Sequence, residues 1–178
     1  GLVDLAARLR EPGHEHEGML ESELNAAAAG GITSLVCPPD TDPPLDEPGL
    51  VDMLKFRARK LSLCRLFPLG ALTRGLQGEV LTEMAQLTAS GCVGFSQADV
   101  AIRDTLVLQR AMQYAATYGY AVWLRPQDAH LAHGGVAHEG EVTTRLGLPP
   151  IPAVAETVAL HAILELAESR KPKVLLTS

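Results

Sequence analysis

Cysteine is sparse in this sequence and nowhere paired: Cys37, Cys64 and Cys92 stand far apart, with no CxxC. That excludes a disulfide framework, and the thiols read as buried groups of a protein kept in a reducing, cytoplasmic compartment. Long apolar runs are missing as well; none approaches the roughly 20 residues that a membrane helix needs. Residues 1–10 carry charges and lack a signal-peptide pattern. Nor is there a surplus of positive charge. The 15 Lys and Arg face 21 Asp and Glu, a net charge of −6, so no basic surface points to nucleic acid. What remains is ordinary globular material: 178 residues, 47% hydrophobic and 20% charged, enough for one domain with a real core.

Short apolar runs alternate with longer helical patterns. The runs at 2–9, 32–37, 64–72, 92–95, 120–124 and 173–177 read as strands. Helical spacing, with Gly, Pro or Asp at the ends, predicts helices over 19–29, 47–61, 79–89, 104–118 and 152–169, with Asp104 as an N-cap. The stretch 127–150 is rich in Gly and His and reads mostly as loop. Strict alternation predicts a parallel sheet with helices outside it, and continuously apolar strands predict that both sheet faces are covered. An open doubly wound sheet and a piece of a (β/α)8 barrel both fit. No GxGxxG follows the first strand, which weakens the dinucleotide-binding form of the first. Polar residues gather just after several strands: Arg8, Arg10, Asp40, Ser96, Gln97, Arg125 and Ser178. In a barrel these share the C-terminal rim, where active sites sit. The expectation is an α/β fold, an incomplete (β/α)8 TIM-type barrel of about six βα units, against about 250 residues for a full one. Both ends run directly into apolar strands. Residues 1–178 are therefore expected to be the N-terminal portion of a longer barrel domain, the remainder lying outside this chain.

The motifs narrow the reading. Gly1-Leu2-Val3-Asp4-Leu5-Ala6-Ala7-Arg8-Leu9-Arg10-Glu11-Pro12-Gly13 resembles the opening signature of dihydroorotases, G-[LF]-[IV]-D-x-H-V-H-x-R-x-P-G. The likeness continues through Ala26–Thr33, the Pro39-Asp40-Thr41-Asp42-Pro43 loop, Gly94-Phe95-Ser96, Gly134-Gly135-Val136, and the stretch from Arg145 to Glu156. Several motifs in order at the right intervals make the resemblance specific, and it covers essentially the whole chain. It implies a barrel of the amidohydrolase superfamily that works on the ring amide of dihydroorotate with zinc.

The departures from that pattern fall on the metal ligands. The two histidines implied on the first strand are Ala6 and Arg8 here. The fourth-strand ligand falls in Ser96-Gln97-Ala98, the fifth-strand histidine is Arg125, and the sixth-strand histidine aligns with Ser178. Alanine donates nothing, and a guanidinium has no lone pair and repels a divalent cation. The resemblance therefore implies former metal-ligand positions at Ala6, Arg8, Gln97, Ala98, Arg125 and Ser178, no bound metal and no catalytic residue. Arg10 matches the arginine that grips the substrate carboxylate, and Asp40 stands where an asparagine is usual. An ion-pair network of Arg8, Arg10, Asp40 and Arg125 is expected to fill the old metal pocket. His14-Glu15-His16 and the His130, His133 and His138 cluster lie in loops at spacings that suit no zinc site and read as solvated. Inactive relatives of this kind associate with aspartate carbamoyltransferase in pyrimidine biosynthesis. A structural or assembly partner of that enzyme, in a homo- or hetero-oligomer, is the leading expectation. Two others stay open: an active dihydroorotase or related cyclic amidohydrolase with an atypical site, and a protein that binds small carboxylates.

Overall fold

Six short apolar segments lie side by side in a computed structural model that describes residues 1–61 and 63–177. In chain order the elements are β1 (Leu2–Asp4), α1 (Leu20–Ala29), β2 (Ile32–Cys37), α2 (Pro48–Leu61), β3 (Arg65–Ala71), a 3-10 turn (Arg74–Leu76), α3 (Met84–Ser90), β4 (Gly94–Ser96), α4 (Thr105–Tyr118), β5 (Ala121–Leu124), β6 (Ala137–His138), α5 (Glu141–Leu146), β7 (Pro150–Ile151), α6 (Ala153–Arg170) and β8 (Lys173–Leu176). The main sheet runs β1-β2-β3-β4-β5-β8, and every neighbouring pair is parallel. β6 and β7 pair apart from it, within the long connection between β5 and α6.

The pleat divides each strand between two layers. Val36, Leu69 and Trp123 are buried together on the concave side, with Phe67, Ala121 and Leu175 against them. Leu35, Cys37, Phe95, Val122 and Leu124 face the other way, into a core shared with Leu24, Leu54, Met84, Leu87, Met112 and Ile163 of the helices. The four inner strands are largely covered on both faces, as continuously apolar strands require, whereas the edge strands β1 and β8 leave Leu2, Val3 and Leu176 exposed. The sheet is curled. Arg8, just past β1, touches Asp99, just past β4, at 2.5 Å. In a flat sheet those strands would lie about 14 Å apart, three spacings of roughly 4.8 Å.

Close packing shows at Gly70, the register partner of Phe95. A Cβ there would stand 2.9 Å from Phe95 Cε1 and 3.1 Å from Leu87 Cδ1, so the helix-side core has room for hydrogen only.

Several boundaries differ from the sequence expectation, each for a local reason. β1 stops at Asp4 because the Asp4 carboxylate accepts the Ala6 N–H at 2.9 Å and bends the chain. Helix α3 starts at Met84, not near Glu79. Thr73 bridges Leu81, and Thr82 Oγ1 donates to the Ala71 carbonyl at 2.6 Å, holding that segment extended. The 127–150 stretch is less irregular than its composition suggests, holding α5 and the β6–β7 ribbon. Two-residue strands are too short to show a period. Asp104 caps α4 as expected, accepting the Leu106 N–H at 2.8 Å.

Burial pushes the Cys37 and Cys92 thiols up to about 12. Between the ordinary value near 9 and about 12, an unfolded chain loses these protons while the folded one keeps them. The stability they contribute is therefore whole below pH 9 and lost as pH rises through that window. Thiol titration of the native protein is expected to spare both residues at pH 8 and to reach them only after denaturation. Gly70→Ala should cost about 1–3 kcal/mol by overpacking. In the Gly70→Ala/Phe95→Leu double variant, urea unfolding should show less than the sum of the single losses, because the smaller side chain vacates the contact.

Candidate functional site

The loops that follow β1 and β2 are stitched together before any functional side chain is placed. Ala7 N–H donates to the Val36 carbonyl at 2.9 Å and Asp42 N–H to the Pro12 carbonyl at 3.0 Å. Gly13, at φ +98°, lies so close to Asp42 that a Cβ would fall 2.3 Å from its carbonyl oxygen. Glu11 is 2% exposed. One of its oxygens accepts the Leu20 N–H at 2.6 Å at the start of α1, and the other meets the Arg57 guanidinium from α2. The stitching brings Arg8 and Asp40 onto one rim.

There the charged groups form a chain. Arg8 Nε donates to Asp40 Oδ2 at 2.7 Å, and Arg8 Nη2 to Asp99 Oδ2 at 2.5 Å. Asp99 Oδ1 lies 3.3 Å from Arg125 Nη1, so one carboxylate bridges two guanidiniums from opposite parts of the curl. The hydrogen bond to Asp40, followed by the charges of Asp40 and Asp99, raises the Arg8 pKa above its usual value. Beneath the chain is a pocket of about 50 Å³ lined by Ala6, Arg8, Ser96, Ala98, Asp99 and Trp123 among others.

The expected site residues divide. Ala6, Arg8 and Ala98 line this pocket, while Asp40 and Arg125 reach it through the ion pairs. Gln97 turns away. It is buried, donating to the Leu76 carbonyl at 2.8 Å and accepting from Thr73 Oγ1 at 2.9 Å. Arg10 is not in the network, because its left-handed backbone (φ 63°) carries it toward Glu17, with which it pairs at 3.1 Å. Ser178 lies outside the described residues, although its neighbour Thr177 lines the pocket. Asp99, the bridge, has no motif to mark it. Its only sequence signal is that it is the first carboxylate after the fourth strand. The His14 and His16 rings stand 6.2 Å apart in their loop, and among the described residues no three His, Cys, Asp or Glu side chains are grouped to hold a metal.

A curled sheet of parallel strands whose polar residues collect at the C-terminal rim is the architecture of the TIM-barrel amidohydrolases. The L-hydantoinase (dihydropyrimidinase) of Arthrobacter aurescens shares the fold at a TM-score of 0.77 and 18% identity, over 99% of this chain and 41% of that one. The dihydroorotase of Saccharomyces cerevisiae in complex with 5-fluoroorotic acid does so at 0.66 and 18%, over 98% and 46%. The family model described as Dihydro-orotase-like matches residues 1–170, and the chain belongs to that family. A dihydroorotase-like protein of Pseudomonas aeruginosa is 49% identical over 94% of this chain, and one from Pseudomonas putida 48%. A dihydroorotase of Anaeromyxobacter sp. (strain K) is 39% identical over the same share. The chain spans about 40% of the length of these relatives.

The two arginine pairs at this face differ in burial, which sets their energetic weight. Arg57→Ala strands the buried Glu11 carboxylate and should cost about 2 kcal/mol in urea unfolding. Arg10→Ala breaks an exposed pair and should cost under about 1 kcal/mol in the same assay.

Proposed function

We propose that this chain is part of a dihydroorotase-like protein of pyrimidine biosynthesis that does not hydrolyse dihydroorotate and serves as a structural or assembly partner of aspartate carbamoyltransferase. The observation that carries the reading is the Arg8–Asp99–Arg125 bridge, which sets two guanidiniums where the resemblance implies zinc ligands. These residues do not fit the metal. Ala6 offers a methyl group, the arginines have no lone pair to give, and the Gln97 amide is spent on Thr73 and Leu76. Arg10, the residue matched to the substrate carboxylate, faces Glu17 instead. With its pocket chemistry gone and its scaffold retained, the barrel is left with its surface as the working part.

The test is elemental analysis of chelator-free intact protein, with a dihydroorotate hydrolysis assay on the same sample. The expected outcome is no stoichiometric zinc and no turnover, together with a heavier species in light scattering when aspartate carbamoyltransferase is added. One or two zinc ions per chain with turnover would overturn the reading.

A further inference from the structure

Asp99 stands out because its two carboxylate oxygens serve different arginines, Oδ2 with Arg8 Nη2 at 2.5 Å and Oδ1 with Arg125 Nη1 at 3.3 Å. The arginines come from separate parts of the barrel, the ends of β1 and β5, and converge only at this carboxylate. We infer that Arg8 and Arg125 form a carboxylate-binding site and that Asp99 is its tethered, self-supplied occupant, which a small free dicarboxylate replaces when the Asp99 side chain is removed.

Three observations carry this. First, Asp99 is 52% exposed, and Arg8 and Arg125 are each 37% exposed, so the bridge faces solvent and an outside anion can reach the same donors. Second, the donors are not used up by the scaffold. Arg8 gives its Nε edge to Asp40 and its Nη2 to Asp99, while among the described residues Arg125 forms its ion pair with Asp99 alone. Deleting the Asp99 carboxylate leaves a guanidinium edge and a nearly whole guanidinium facing one point. That arrangement suits a planar carboxylate with its two oxygens divided between them. Third, Asp99 is mounted on the connection between β4 and α4, outside helix and strand. The preceding Ala98 holds a left-handed backbone (φ 51°), and the loop is anchored behind it by Ser96 Oγ accepting the Ala98 N–H and by the buried Gln97. The carboxylate is thus presented to the arginines by a loop whose root is fixed independently of the ion pairs. Asp40 stays on Arg8 Nε and keeps that side chain aimed when Asp99 is gone.

The inference rests on the metal-free reading of the rim, and its test is separate from that one. Malonate binding is measured by calorimetry at low ionic strength on the intact wild-type protein and on the Asp99→Ala, Asp99→Ser and Asp99→Ala/Arg125→Ala variants. Both single variants should bind malonate about tenfold or more tightly than wild type, as expected for freeing hydrogen bonds between charged groups. The double variant should lose that gain. Asp99→Ser also vacates the position between the arginines and serves if Asp99→Ala does not fold. No gain in either single variant, or a gain that survives loss of Arg125, overturns the inference. Zinc content and turnover in the wild type decide the other reading whatever malonate does.

Discussion

The curl of the parallel sheet is the constraint on which the other features depend. The inner strands bury both faces, and on the concave side Val36, Leu69 and Trp123 come together as the sheet bends. Once it bends, the strand ends converge, and side chains far apart in sequence become neighbours. Arg8, Asp99 and Arg125 share a site for this geometric reason and for no local one.

The convex side sets how exactly the bend is held. Phe95 lies against the hydrogen of Gly70, with Leu87 alongside, so β3, β4 and α3 have little freedom to slide. The rim is held differently, by loops tied to one another and to α1 and α2. Glu11 is the knot, a buried carboxylate joining a helix start to a guanidinium from the next helix. Rigid strands below and stitched loops above are what allow half-exposed ion pairs at the mouth to have a defined geometry, although such pairs contribute little stability themselves.

The charges of the rim balance among its own side chains. Two arginines beside each other repel, and two aspartates placed between and beside them cancel that repulsion along Asp40–Arg8–Asp99–Arg125. Cation and anion alternate along that chain, so each charge faces one of opposite sign.

The alternation of apolar runs and helical patterns determined the class of fold, because periods of two and 3.6 are local properties of the chain. Asp104 as a cap and the helix ends at Gly91 and Gly119 were legible for the same reason. Where contacts from elsewhere intervened, local reading failed: Thr73 and Thr82 delay α3, and the Asp4 carboxylate ends β1 early. At the rim, the motifs located Ala6, Arg8, Asp40, Ala98 and Arg125, since each follows a strand. Whether a side chain at such a position turns toward the mouth was decided only by the tertiary structure. Gln97 turned to Thr73, Arg10 turned to Glu17, and Asp99 took the place between the arginines. The physical reason is that hydrogen bonds and ion pairs are settled by which partners the curl brings within about 3 Å, a distance that no spacing along the sequence encodes.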